Sequence, residues 1–186
     1  MSNMAALVAG RPYTRADLEQ TPDDGRRYEL IDGVMVVSAA PGLRHQNAVL
    51  ELAVQLRIAC PADFRVVAGP FGVALAGDTE LQPDIIVGRR SDFTEREIVT
   101  PALVVEVLSP STRLFETHVK RARFERAGIP SYWIVDPISR PAEAALVVWE
   151  LGEDGSYRQV AKAVGDEQVV LAQPYPVTIV PSDLVR

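Results

Sequence analysis

Cysteine is nearly absent. Cys60 is the only one in 186 residues, so no disulfide framework is available and a reducing compartment, the cytoplasm, is the expected home. Histidine is almost as scarce: His45 and His118 are the only two, and no Cys/His spacing of the zinc-binding kind occurs. No apolar run approaches the roughly 20 residues that a membrane-spanning helix needs. The opening stretch, Met1 to Gly10, lacks the basic start and the length of a secretion signal. G-x-G-x-x-G, Walker-type and G-x-S-x-G motifs are all missing, which removes dinucleotide, nucleoside triphosphate and serine-hydrolase chemistry. A basic surplus is missing as well. The net charge is −6, which argues against a nucleic-acid partner unless positive charge is gathered locally. It is gathered between Arg113 and Arg126, where Arg113, Lys120, Arg121, Arg123 and Arg126 face only Glu116 and Glu125. Carboxylates that hold a metal would also be neutralised on loading.

What is present is a globular composition, 47% hydrophobic and 24% charged, at a length that suits one domain with a full core. The expectation is a single α/β domain over residues 1–186, its core at about 12–175. Thr14 caps a short helix through Glu19. Arg27 to Ile31 and Val34 to Ser38 read as strands joined by an Asp32-Gly33 hairpin turn. A helix follows from about Arg44 to Cys60, with Val49, Leu52, Ala53 and Leu56 at helical spacing and Pro61 ending it. Phe64 to Ala68 and Phe71 to Ala76 read as strands around Gly69-Pro70. Asp84 to Gly88 and Ala102 to Leu108 are apolar strands without alternation, which places them inside a sheet covered on both faces. A helix from Arg113 to Ala127, closed by Gly128 and Pro130, leads to a strand at Tyr132 to Val135. Ala144 to Glu150, Tyr157 to Ala163 and Val169 to Leu171 read as a β meander.

Acidic residues carry the chemistry. Glu106 sits within Leu103-Val104-Val105-Glu106-Val107-Leu108, where both faces are apolar. A buried carboxylate there needs a cation, a hydrogen-bond network or a raised pKa; a structural ion pair with an arginine is the plain alternative. Asp84 opens the strand after Gln82-Pro83, and besides a turn or cap role it is the natural partner of Glu106. Two carboxylates plus water suit Mg²⁺ or Mn²⁺ better than zinc. Lys120 shares a helical stripe with Glu116 and Phe124. It is either a surface partner of Glu116 or a buried cation beside a metal. Glu29 shares a strand face with Ile31 and is either solvated or directed at the site. His45 opens a helix, where packing or capping explains it as well as catalysis does. His118 is expected to face solvent.

These residues together resemble the Uma family of restriction-type endonucleases, in the PD-(D/E)XK nuclease superfamily. The likeness is carried by Tyr28-Glu29-Leu30-Ile31-Asp32-Gly33, His45-Gln46, Gln82-Pro83-Asp84, Val104 through Thr112, Lys120-Arg121, and Ala127 through Pro137. It implies a restriction-endonuclease-like core: a central mixed β-sheet flanked by helices, with N-terminal and C-terminal β hairpins or meander. It implies Asp84 and Glu106 as metal ligands, the Val107 carbonyl as a further ligand, and Mg²⁺, replaceable by Mn²⁺, as cofactor. The superfamily lysine would stand at position 108, which is leucine here, and Lys120 matches the family's migrated lysine. Glu29 matches an upstream acid, with His45, Gln46 and Glu116 in support; at 116 the family pattern calls for Asp. The implied activity is hydrolysis of DNA phosphodiester bonds by a metal-activated water, in a protein that pairs with DNA and forms a homodimer. The alternatives are a catalytically silent DNA-binding or protein-interaction module of the same fold, and a hydrolase of RNA or another phosphate ester.

Overall fold

The computed structural model describes residues 5–7, 10–110, 113–138 and 140–185, the first three through their backbone alone. Ser111 and Thr112 of the matched segment therefore lie outside the described residues, as does most of Met1 to Gly10. A short helix, α1 (Arg15–Leu18), is capped as the sequence suggests: the Thr14 N–H and hydroxyl both donate to Asp17 Oδ2 at 2.8 Å. Strands β2 (Arg27–Ile31) and β3 (Val34–Ser38) pair antiparallel. Asp32 and Gly33 between them both have positive φ, 48° and 75°, the twist that a two-residue hairpin selects. This hairpin belongs to a second large sheet that the pattern did not reveal. It is joined by β1 (Ala5–Leu7), β5 (Gly72–Ala76), β6 (Thr79–Leu81) and β8 (Glu97–Ile98) in the order β1-β3-β2-β6-β5-β8. Strands as short as β6 and β8 leave no periodic signal.

The central mixed sheet contains β4 (Phe64–Ala68), β7 (Ile85–Arg89), β9 (Leu103–Val107), β10 (Ser131–Asp136), β11 (Ala145–Leu151) and β12 (Tyr157–Val164). Its order is β12-β11-β10-β9-β7-β4. Only β9 and β10 run parallel, and the helical segment between them makes the crossover. β9 lies inside the sheet, as its unbroken apolar run requires. Leu103, Val105 and Val107 pack in one core with Leu52 and Leu56 of α2 (Leu43–Ala59). Val104 and Leu108 point the other way, into a core shared with Ile31, Val73 and Leu81 of the first sheet. By alternation Glu106 is on that second face. It looks into the seam between the two sheets.

One expectation is made more specific by the structure and two change. The strands flanking Gly69-Pro70 are both present, but β4 is in the central sheet and β5 in the other, so the chain changes sheet there. The Gly69 N–H donates to Asp84 O at 2.8 Å, and a Cβ at Gly69 would stand 2.6 Å from Pro83 O. Only glycine permits that approach. The C-terminal meander stops at β12, because β13 (Val169–Leu171) pairs with β14 (Val177–Ile179) instead. The expected single α-helix begins with a π-helical turn, Phe115–Lys120, before α3 (Arg121–Arg126). Glu116, Lys120 and Phe124 are its buried stripe, while Phe115, Val119 and Ala122 are only half-buried. The Tyr132 hydroxyl donates to the Glu116 carbonyl at 2.8 Å, meeting one acceptor of the widened turn. No helix among the described residues is long and apolar enough to cross a membrane.

Candidate metal centre

β7 and β9 pair with Ile85 opposite Val105 and Ile86 opposite Val104, so one more step of that register sets Asp84 across from Glu106. Both are buried, at 1% and 0% exposure. Glu116 reaches the same place from the π turn. One carboxylate oxygen from each of Asp84, Glu106 and Glu116 lies within 4.8 Å of the others. The donor set is entirely carboxylate oxygen, which fits a hard divalent cation such as Mg²⁺ or Mn²⁺ better than zinc.

Lys120 comes to this cluster from the end of the same π turn. Its ammonium is 2.9 Å from Glu106 Oε1 and 2.8 Å from Glu29 Oε1, and the side chain is 2% exposed. The surface Glu116–Lys120 pair is thereby replaced by a buried arrangement, and the ion pair of Glu106 is with this lysine and not with an arginine. Glu29, in β2, also accepts the Gln82 N–H at 2.7 Å, so it holds Lys120 against the entry to β7. Leu108 shares the face of Glu106 and is buried in apolar contacts. Glu106 Oε2 is left with no hydrogen-bond partner, an arrangement that costs free energy unless a proton or a cation occupies it.

Asp84 is held differently. Arg27 Nη2 lies 2.8 Å from its Oδ1. His45 Nε2 at 3.0 Å and the Val107 N–H at 2.8 Å both meet its Oδ2. Because an ionised carboxylate only accepts, His45 carries its proton on Nε2, and its buried Nδ1 has no partner. Val107 thus enters the site through its N–H. Gln46 stands beside His45 in the wall of a cleft of about 760 Å³ that reaches Asp84, while His118 is exposed. Arg27 is the residue that sequence reasoning missed. The available signal was its place on β2 at two residues from Glu29, on the same face.

Electrostatics separates the two central acids. Burial alone would push the Asp84 carboxyl up, but His45, Arg27 and the Val107 N–H outweigh it and hold the group well below the usual carboxylate range. Glu106 goes the other way: burial raises it, Lys120 offsets only part of that, and Asp84, Glu116 and Glu29 raise it further. Burial disfavours the charge on Lys120, yet Glu106 and Glu29 more than compensate and raise it above an ordinary lysine. Among the described residues, four buried carboxyl groups here face two permanent cations, Arg27 and Lys120. The surplus negative charge calls for protons or for a divalent cation.

A family model described as "Uma2: Putative restriction endonuclease" matches residues 15–180. The chain belongs to the Uma2 family. The Uma2 fold is supported independently by a crystal structure described as a "putative nuclease belonging to DUF820" from Anabaena variabilis. That structure is 19% identical, superposes with a TM-score of 0.70, and is matched over 94% of this chain and 98% of its own. No curated protein matches the sequence. Of the site residues named above, Asp84, Glu106, Glu116 and Lys120 come together at the seam between the two sheets, with Glu29 on Lys120 and His45 on Asp84, while Gln46 stands in the cleft wall and His118 is exposed.

Proposed function

We propose that this protein is a divalent-metal-dependent DNA endonuclease, carried by one domain spanning the chain and working in the cytoplasm. The observation that carries the reading is Glu106: a fully buried carboxyl with one oxygen on Lys120 and the other without a partner, facing Asp84 and Glu116. Asp84, Glu106 and Glu116 would hold the cation, Mg²⁺ or Mn²⁺, with the Val107 carbonyl as a further ligand. When bound, it supplies positive charge against the scissile phosphate and acidifies a water. Lys120 lends a fixed positive charge beside the acids, where negative charge builds on the phosphate during hydrolysis. Glu29 keeps that ammonium in place through its own anchor on the Gln82 N–H. His45 orients Asp84 from the cleft wall, with Gln46 next to it. Homodimerisation is part of the proposal, since cutting both strands of a duplex calls for two such centres.

One observation favours a second reading. Asp84 already receives three donors from the protein itself, as would suit a catalytically silent nuclease fold that only binds DNA or protein. Cleavage separates the two. Supercoiled, linear and single-stranded DNA, and RNA in parallel, are incubated with Mg²⁺, Mn²⁺ or EDTA, with Glu106→Ala as control. The nuclease reading expects divalent-dependent cutting of DNA that Glu106→Ala abolishes. Equal yield in EDTA, or from Glu106→Ala, would refute it.

A further inference from the structure

Of the acids in the centre, only Asp84 also lines the cleft; Glu29, Glu106 and Glu116 do not, and neither does Lys120. A ligand that enters by this cleft meets the groups around Asp84 first. Its Oδ2 is filled by two donors, His45 Nε2 and the Val107 N–H. Among the described residues its Oδ1 is met by Arg27 alone, through Nη2 at 2.8 Å. Arg27 is therefore the group that a cation reaching Oδ1 must displace, because two positive charges cannot share that oxygen at close range.

Arg27 is also able to leave. Among the described residues its guanidinium makes one further hydrogen bond, from Nη1 to the neutral Gln82 carbonyl at 3.2 Å, and Glu29 and Glu106 attract it by charge without a hydrogen bond. Its side chain is 17% exposed, where that of Lys120 is 2% exposed, and it lines the cleft together with Arg26 and Tyr28. Its backbone stays fixed, paired with Ser38 across the hairpin. A pivot about the side-chain bonds would carry the guanidinium from the acid into the cleft without moving the sheet. There its planar fork matches two oxygens of a phosphate diester.

Resting on the metal-nuclease reading, we propose that Arg27 is an exchangeable counter-ion. It neutralises Asp84 in the metal-free protein and, once a divalent cation takes Asp84 Oδ1, turns into the cleft to bind a substrate phosphate. The fixed hairpin makes the same side chain a substitute for the metal in one state and a substrate clamp in the other. Arg27 is thus a substrate-positioning residue, and removing it has opposite consequences for the two ligands.

The test compares wild type, Arg27→Met and Arg27→Lys in two measurements. The first is the Mn²⁺ concentration that half-saturates the rise in melting temperature, read without DNA. The second is KM and kcat for supercoiled plasmid in saturating Mn²⁺. Arg27→Met should bind Mn²⁺ more tightly, with its midpoint lowered several-fold, because the competing charge is gone. Its KM should rise about tenfold, the worth of a charge-assisted hydrogen bond, with kcat much less affected. Arg27→Lys should keep a midpoint near wild type and raise KM by a smaller factor than Arg27→Met, since it retains charge but not the fork. A permanent structural counter-ion predicts the reverse: Mn²⁺ binding weakened or unchanged in Arg27→Met. That result, or an unchanged KM, overturns the inference while leaving the metal centre standing. A wild-type protein whose melting temperature ignores Mn²⁺ defeats the metal reading itself, and this inference with it.

Discussion

At the scale of single residues, the pair Glu106 and Lys120 is the most sensitive point of the molecule. Lys120 bridges Glu106 and Glu29, so Lys120→Met removes the one cation in contact with both acids and should cost about 3–5 kcal/mol in urea unfolding. If the protein folds without Lys120, Lys120→Ala should lose on the order of 10²-fold in kcat. Leu108→Lys added to that variant should recover part of the loss, because position 108 faces the same seam. Glu106 makes the opposite prediction for stability. Its pKa is raised above the ordinary glutamate value of 4.5, so in metal-free protein its contribution is complete below that value and lost as pH climbs through the raised one. The melting temperature in EDTA should therefore fall as pH rises above about 4.5, and Glu106→Gln should flatten that fall and abolish the response to Mn²⁺. A steep pH dependence retained in Glu106→Gln would assign the effect to another group. The burial and proximity of Asp84 and Glu106 were legible because carboxylates stood in apolar strands, where no solvent could serve them. Arg27 was not legible, because an arginine at the start of an alternating strand looks solvated until the second sheet is known to cover it.

At the scale of elements, the site depends on two local irregularities. The first is the crossing at Gly69, where the β4–β5 connection lies against Pro83 and Asp84. Gly69→Ala puts a methyl into the Pro83 carbonyl, so the backbone carrying Asp84 must shift. A loss of about 1–3 kcal/mol is expected, together with a higher Mn²⁺ midpoint in the melting assay; a wild-type midpoint would mean that the crossing does not set Asp84. The second is the π turn at Phe115–Lys120, which sends Glu116 and Lys120 inward. The helix itself was readable from its apolar spacing and the Gly128-Ile129-Pro130 stop, but the widened turn was not, since one extra residue in a turn leaves the composition unchanged. The hairpin at Asp32-Gly33 was readable for the converse reason: a positive φ at two successive residues demands a particular sequence. The division of strands between two sheets was beyond the pattern, because β4 and β5 carry the same short apolar signal and differ only in their partners.

At the scale of the whole molecule, the charge distribution limits how the proposed DNA substrate would be held. The cleft wall contains Arg15, Arg26, Arg27 and Arg96 but also Glu19, Asp23, Glu80, Glu95 and Glu97, and Arg15 is already engaged by Glu80 and Glu97. Few phosphates can be neutralised at once. The affinity for a labelled duplex, measured by anisotropy, should fall with salt on a logarithmic slope no steeper than about −4. A slope near −8 would instead reveal a broad basic face elsewhere, such as the Arg113–Arg126 stretch. Because the chain changes sheet at Gly69, the acids of the centre are gathered from distant parts of the sequence. The contacts at Asp84 alone close loops of 57, 39 and 23 residues. Such non-local contacts raise the contact order and slow folding. During synthesis, which proceeds from the N-terminus, Glu29, Asp84 and Glu106 all leave the ribosome before the lysine that bridges two of them. A nascent chain therefore carries the acids without the centre, and the proposed capacity to cut would arrive only with the finished fold.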